Sequence, residues 1–288
     1  MNRRGVEIKT PDQIRRMRRA GLVVAQALQV MGDAVRPGIT TAELDGLARE
    51  VLARHGATSS FLGYGTEWGF PPYPATVCVS VNEVVVHGIP GDRTLADGDV
   101  ISIDFGAIVD RWHGDAARTF VVGTPSPAAA ELIEATRLAM WAGIARAAMT
   151  GRVGDISHAI QRHVEGSGRR YGIVREYTGH GIGTSMHQPP DVPNLGRPHR
   201  GYRLSAGLCL AIEPILTLGG ADCETLDRGD PGRIAGLPLG EHRSDLPRRP
   251  VGAHRTRRWP RRTDRSGRPG VRVGRLTTGS ADSPGATA

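Results

Sequence analysis

Several acidic and imidazole side chains stand where an unassisted charge is costly, and their spacing asks for a cation. Asp104 falls inside Val100-Ile101-Ser102-Ile103-Asp104-Phe105, a strand-like run in which an ionised carboxylate is expensive unless something pairs with it. Taken alone, an edge-strand aspartate facing water explains it equally well. Asp115 tips the balance. If Asp110-Arg111 is a two-residue hairpin turn, Val109 faces Trp112 and Asp115 faces Gly106, which shares a sheet face with Asp104. Two carboxylates set diagonally on one face repel each other unless a cation lies between them, and a metal ion is the economical cation. His180, in Gly179-His180-Gly181-Ile182-Gly183, is flanked by residues whose missing side chains let an imidazole approach a ligand closely, and His187 follows it. A lone histidine in a glycine-rich turn is more often structural than a ligand, so neither carries the argument unaided. Glu213 is the sharper signal: it stands in the apolar run Leu208-Cys209-Leu210-Ala211-Ile212, ended by Pro214, where an unpaired glutamate is out of place. His87, between Val84-Val85-Val86 and Gly88-Ile89-Pro90, is weak by itself.

Four segments in this order, VNEVVVHGIP, IDFGAIVDRWHGDAARTF, TGHGIGTSMHQPP and AIEP, resemble the methionine aminopeptidases, within the pita-bread metallopeptidases. The resemblance covers roughly residues 7 to 227. It implies an α+β fold of two pseudo-symmetric halves, with a curved antiparallel sheet covered by helices. It also implies a dinuclear divalent-metal site, to which Asp104, Asp115, His180 and Glu213 match four of the family's five ligands, Asp115 in a bridging role. His87 and His187 match its two catalytic histidines that bind no metal, and Glu213 would serve as general base as well as ligand. Phe70, Tyr73, Cys78 and Met186 match the lining of the pocket for the methionine side chain, with plain core packing an equally simple reading of them. A mixed carboxylate and imidazole set suits Mn, Fe, Co or Zn better than an all-oxygen calcium site. Only 25 residues separate His187 from Glu213, leaving no room for the insertion of the type II enzymes, so the resemblance is to type I. Creatinase-like and proline-specific members of the fold carry a large N-terminal domain and match less well. The implied substrate is the N-terminal methionine of nascent polypeptides whose second residue is small. The ribosome is a candidate partner; specific DNA and membranes are not, and the expected state is a monomer in the cytoplasm.

The elements that must position these residues are legible as changes of period. Thr10-Pro11-Asp12-Gln13 reads as an N-cap, a proline at the first helical position and a capping-box Gln. Ile14, Met17, Gly21, Val24, Leu28 and Met31 then recur at helical steps until Arg36-Pro37-Gly38. A second helix is expected after Thr40-Thr41, with Leu44, Leu47, Val51 and Leu52 on one face and Gly56 as its stop. The period then shortens to two, predicting strands over Thr76 to Val81, Val100 to Val109 and Ala116 to Val122. The same order recurs in a long helix from about Pro127 to Met149, a shorter one from about Asp155 to Gly166, and strands near Ile173 to Thr178 and Leu208 to Leu218. Two halves, each of helices followed by strands, are predicted from element order alone.

Composition narrows the class and exposes an anomaly. With 39% apolar residues over 288 positions the chain can build a real core, and it has no run long enough to span a membrane. Met1 to Thr10 lacks the apolar stretch of a signal peptide. Cys78, Cys209 and Cys223, odd in number and widely spaced, are expected to be reduced thiols. The formal charge of +8 divides unevenly: residues 1–227 hold 23 Lys+Arg against 24 Asp+Glu, whereas 228–288 hold 14 against 5. By the resemblance residues 1–227 are expected to form the catalytic domain, complete or not, and 228–288 an Arg-, Pro- and Gly-rich tail, disordered or out of frame, in which no core strand is expected. The fifth ligand of the family, a glutamate followed by histidine, has only Glu241-His242 as a candidate there, and Arg243-Ser244-Asp245 does not continue as a buried strand. An out-of-frame tail beyond about Asp227 accounts for this: Pro250-Val251-Gly252-Ala253-His254 can be encoded so that a one-base shift reads Trp-Glu-His, and the nucleotide sequence decides it. A metal-poor pseudoenzyme of the same fold and an RNA- or ribosome-binding protein driven by its basic tail are the alternative functions.

Overall fold

The computed structural model describes residues 5–66, 71–148, 151–225 and 234–236. Helix α1 (Pro11–Ala34) starts as its capping box dictates, Thr10 accepting from the Gln13 N–H and Gln13 reaching back to the Thr10 backbone. Its buried stripe is Ala20, Val23, Val24, Ala27, Leu28 and Met31, so the face is rotated from the expected one: Ile14 is exposed, as is Gly21. The reason is steric, since small Ala20 and Ala27 let the helix settle closely on the sheet where larger side chains would hold it off. Helix α2 (Thr41–His55) repeats the capping box with Thr40 and Glu43 and ends on Gly56 in the left-handed conformation.

Strands β1 (Thr58–Ser59), β2 (Val77–Val81), β3 (Val100–Val109) and β4 (Trp112–Val121) form one antiparallel sheet. β4 runs along one edge of β3, while β1 and β2 pair with separate stretches of it. Asp110 and Arg111 both take positive φ, as a two-residue hairpin of this type requires, and they set Val109 opposite Trp112 as expected. β4 therefore starts four residues before the predicted strand, because the turn already fixes the pairing from Trp112 onward. The first core lies between this sheet and α1 and α2, with Leu44, Val51, Val77, Ile101, Ile103 and Phe105 in it.

Helices α3 (Pro127–Ala147) and α4 (Val153–Glu165) open the second half and pack with β5 (Gly172–Ile173), β7 (Gln188–Val192) and β9 (Leu216–Thr217) around Ile156, Ile160, Val192 and Leu216. Two strand expectations need correction. The segment from Ile173 to Thr178 holds only β5, and the apolar run from Leu208 to Leu218 is broken into β8 (Leu210–Ala211) and β9, since Pro214 lacks the N–H that would continue a ladder. His180 lies on a short strand, β6 (Gly179–Gly181), rather than in a turn, with the order β7-β6-β8 across its sheet. β10 (Cys223–Thr225), just before the expected domain boundary, pairs with β11 (Ile234–Gly236) beyond it, a strand too short to show a period in the sequence. Phe70, Glu241 and the rest of the tail lie outside the described residues. The three cysteines are free thiols, and burial, reinforced by the charges of Glu176 and Asp222, pushes Cys223 up to about 11. Among the described residues no helix is long and apolar enough to cross a membrane.

The start of α4 turns on Asp155. Its carboxylate accepts the Arg152 N–H at 2.7 Å and the His199 N–H at 2.8 Å, tying the helix to the Arg197–Tyr202 region, with the Arg146 guanidinium 4.0 Å away. The two backbone hydrogen bonds hold this carboxyl below its ordinary value. A lowered folded-state value means that the stabilisation is complete above the ordinary carboxylate range and is lost as pH falls through the lowered value. Asp155→Asn is therefore expected to cost about 1–3 kcal/mol near neutral pH. In urea unfolding from pH 6 to pH 2 the gap between the two proteins should narrow as pH falls; parallel curves would refute the assignment.

Candidate active site

The hairpin register carries the acidic pair. Asp104 is opposite Ala117 and Asp115 is opposite Gly106, so the two carboxylates are diagonal neighbours on one sheet face, as the sequence predicted. Both side chains are buried. The second half delivers the rest. On β6, His180 is paired with Ala211 of β8, and Glu213 follows two residues beyond Ala211, 1% exposed. The Asn194 side chain, itself buried, donates to the Glu213 carbonyl at 2.9 Å and fixes the chain where β8 ends.

His180 joins the halves. Its Nδ1 hydrogen-bonds the Gly181 carbonyl at 3.0 Å, which can only accept, so in the neutral ring Nε2 carries the lone pair. That Nε2 lies 3.2 Å from Glu213 Oε1 and 3.5 Å from Asp115 Oδ2, and makes no hydrogen bond. A buried lone pair facing carboxylate oxygens from both halves of the chain is the kind of donor set a cation takes, with a backbone carbonyl selecting the tautomer as in histidine-metal sites. Among the described residues no three or more His, Cys, Asp or Glu side chains are grouped closely enough to hold a metal ion as they stand. The structure brings His180 Nε2 close to Asp115 and Glu213, with Asp104 on the sheet face of Asp115. Burial raises the Asp191 carboxyl, opposite His180, against the pull of a backbone hydrogen bond and of His180.

One of the two other histidines, His187, stands beside this set. The His187 ring lies 4.3 Å from that of His180, and its Nδ1 is hydrogen-bonded to the Tyr64 hydroxyl. His87 is held at a positive φ of 61° and packs edge-on against Tyr177 at 5.4 Å. The next residue must be glycine: a Cβ on Gly88 would fall 2.1 Å from the Val79 carbonyl oxygen, and the Gly88 carbonyl accepts from both Val79 N–H and the Tyr73 hydroxyl. The strained turn is thus clamped onto β2.

Three of the four expected pocket residues, Tyr73, Cys78 and Met186, meet in one small apolar cluster with Phe61, flanked by Tyr64 and Ile89. This cluster adjoins the acidic pair: a Cβ on Gly106, the partner of Asp115, would lie 2.6 Å from Phe61 and 3.1 Å from the Met186 methyl. A buried apolar cluster therefore packs beside the acidic pair. Sequence reasoning missed Phe61, Tyr64 and Asn194. Tyr64, between Gly63 and Gly65, gave the one usable signal; Asn194 and Phe61 gave none. His113, hydrogen-bonded to Ser60 at 3.0 Å, has its imidazole pushed down by burial, against the attraction of Asp115.

Comparison with known proteins places this geometry in context. Residues 15–236 match the family described as Metallopeptidase family M24. The chain is 46% identical over 223 residues to a protein of Clostridium perfringens named methionine aminopeptidase, covering 77% of this chain and 86% of that protein. To methionine aminopeptidase 1 of Mycobacterium tuberculosis it is 47% identical over 230 residues, covering 78% and 84%. Its fold superposes on the crystal structure of methionine aminopeptidase from Rickettsia prowazekii with a TM-score of 0.74 at 35% identity, over 80% of this chain and 89% of that one.

Proposed function

The chain belongs to metallopeptidase family M24 and, within it, to the methionine aminopeptidases, and from that premise we propose that it removes the N-terminal methionine of new polypeptides whose second residue is small. The observation that carries the reading is the approach of His180 Nε2 to Asp115 and Glu213 beside the apolar cluster of Phe61, Tyr73, Cys78 and Met186. Asp104, Asp115, His180 and Glu213 would hold a pair of divalent ions, Mn, Fe, Co or Zn. When bound, the metal supplies a Lewis acid for the scissile carbonyl and an acidified water at neutral pH.

Every other part of the reaction falls to the chain's own side chains. Glu213, buried and fixed through Asn194, takes the proton from the attacking water at a carboxylate oxygen and later passes it to the leaving amine. His187, whose Nδ1 is engaged by Tyr64, turns Nε2 to the substrate, and with His87 it holds the carbonyl oxygen and the amide as negative charge develops. The apolar cluster takes the methionine side chain, which its aromatic rings and the Cys78 and Met186 sulfurs suit as polarisable neighbours. Glu241, the candidate for the family's fifth carboxylate, lies outside the described residues.

Release of free methionine from a Met-Ala-initiated peptide with added Mn or Co tests the reading. Chelation is expected to stop the release, and a Leu-Ala-initiated peptide is expected to be a poor substrate. A folded, soluble protein that releases no methionine with any of the four metals would overturn it.

A further inference from the structure

Glu7 and Lys9 precede the first helix, and no step of the proposed reaction uses them. They are nonetheless locked into the segment that carries both His180 and His187. Backbone contacts bring them there: Ile8 bridges to Leu208, and the Lys9 N–H donates to the Gly207 carbonyl at 2.8 Å. Gly207 has a φ of +86°, and a Cβ on it would lie 2.3 Å from the Lys9 carbonyl oxygen, so the approach depends on glycine twice.

One oxygen of Glu7, Oε2, then accepts three hydrogen bonds: from the Thr184 N–H at 3.0 Å, the Thr184 hydroxyl at 3.1 Å and the Gln188 side-chain amide at 2.7 Å. Thr184 lies in the arch between β6 and β7; Gln188 is the residue after His187. Both limbs of the arch are thus pinned to one carboxylate far away in sequence. The Lys9 ammonium, almost wholly buried, stands 3.5 Å from the Gln188 side-chain oxygen Oε1 and 3.8 Å from Glu7 Oε2. It balances the carboxylate and orients the Gln188 amide. Within the arch, a Cβ on Gly183 would lie 2.3 Å from Glu7 Oε2 and 2.5 Å from the Lys9 side chain, so the pair is packed against its backbone. Burial alone would raise the Glu7 carboxyl; the bonds from Thr184 and Gln188 and the Lys9 charge bring it below its ordinary value.

We propose that Glu7 is a positioning residue for the peptidase reaction, bracing the Gly181–Gln188 arch so that His187 keeps its place beside His180. The proposal rests on the peptidase reading of those two histidines, and its test is arranged so that the two can fail separately. In Glu7→Gln the amide offers one acceptor and places its own N–H groups against those of Thr184 and Gln188, while Lys9 loses its counter-charge. Measured on the full chain, kcat for the Met-Ala peptide is expected to fall about 10- to 100-fold, the range for groups that orient a site's own residues. KM should change less than kcat, because of the apolar cluster only Met186 lies on the arch, and unfolding should remain cooperative. Hydrogen exchange across residues 182–188 is expected to quicken.

An unchanged kcat in a folded Glu7→Gln protein overturns the proposal. If that variant does not fold, Thr184→Val, which removes one of the three bonds and keeps the N–H, is expected to lower kcat about threefold, as for one hydrogen bond; no change there overturns it equally. If the parent protein releases no methionine at all, exchange alone decides: unaltered exchange across 182–188 in Glu7→Gln, or in Thr184→Val where Glu7→Gln does not fold, removes the brace whatever the reaction.

Discussion

Glu213→Gln is expected to lower kcat for methionine release by about 10²–10⁴-fold, the range for loss of a general acid-base group, while leaving the metal-free protein no less stable than its parent. The two halves of that expectation have one cause. With His180 neutral, Glu213 Oε1 and His180 Nε2, 3.2 Å apart in a buried space, both offer lone pairs. Glutamine has nearly the same shape and can turn an N–H toward Nε2, replacing repulsion with a hydrogen bond worth about 1 kcal/mol. The same N–H cannot take a proton from water, and it removes one negative charge from the cation's surroundings. Kinetics together with chelator-treated thermal unfolding checks both parts. Parent-like turnover by the variant would remove Glu213 from the reaction. An unfolded variant would show that the carboxylate supports the fold and not the chemistry alone.

Gly114→Ala should lower stability by about 3 kcal/mol, toward the upper end of the overpacking range, and Gly114→Val should leave little folded protein. A Cβ at Gly114 would fall 2.6 Å from the Gly21 nitrogen, 2.7 Å from the Ala20 carbonyl carbon and 2.9 Å from its oxygen. These are backbone atoms of α1, so no side chain can swing away; the whole helix must lift from β3 and β4, taking Ala20, Val23, Val24 and Ala27 with it. The neighbours of Gly114 are His113 and Asp115, so the site shifts with the strand. Gly21→Ala is the matched control. Gly21 lies against Gly114 in space, yet a Cβ on it meets nothing within 4 Å, and a helix-interior alanine should gain about 0.5–1 kcal/mol. Urea unfolding of the two alanine variants, expected to move in opposite directions, tests the packing; a Gly114→Ala midpoint equal to the parent's would refute it.

Much of this molecule was determined locally. The capping boxes at Thr10 and Thr40 start their helices because a side chain and a backbone N–H a turn apart satisfy each other without help from the rest of the chain. Asp110-Arg111 sets the register of β3 and β4, and that register alone makes Asp104 and Asp115 diagonal neighbours. The four motifs and their order marked the family for the same reason: each is a short run whose residues constrain one another.

Tertiary structure decided what depends on distant backbones closing on each other. Which face of α1 is buried depended on Gly114 admitting the helix backbone, not on the helix's own period. The break between β8 and β9 set Glu213 two residues past the partner of His180. The Tyr64 hydroxyl reached His187 across 123 positions, and Glu7 reached Thr184 across 177. Such contacts leave no period behind, because a side chain's neighbours along the chain say nothing of which sheet edge will be folded against it. Chemistry was therefore legible wherever a costly residue stood in a regular element, and the supports that hold that chemistry in place became visible only once the two halves had met.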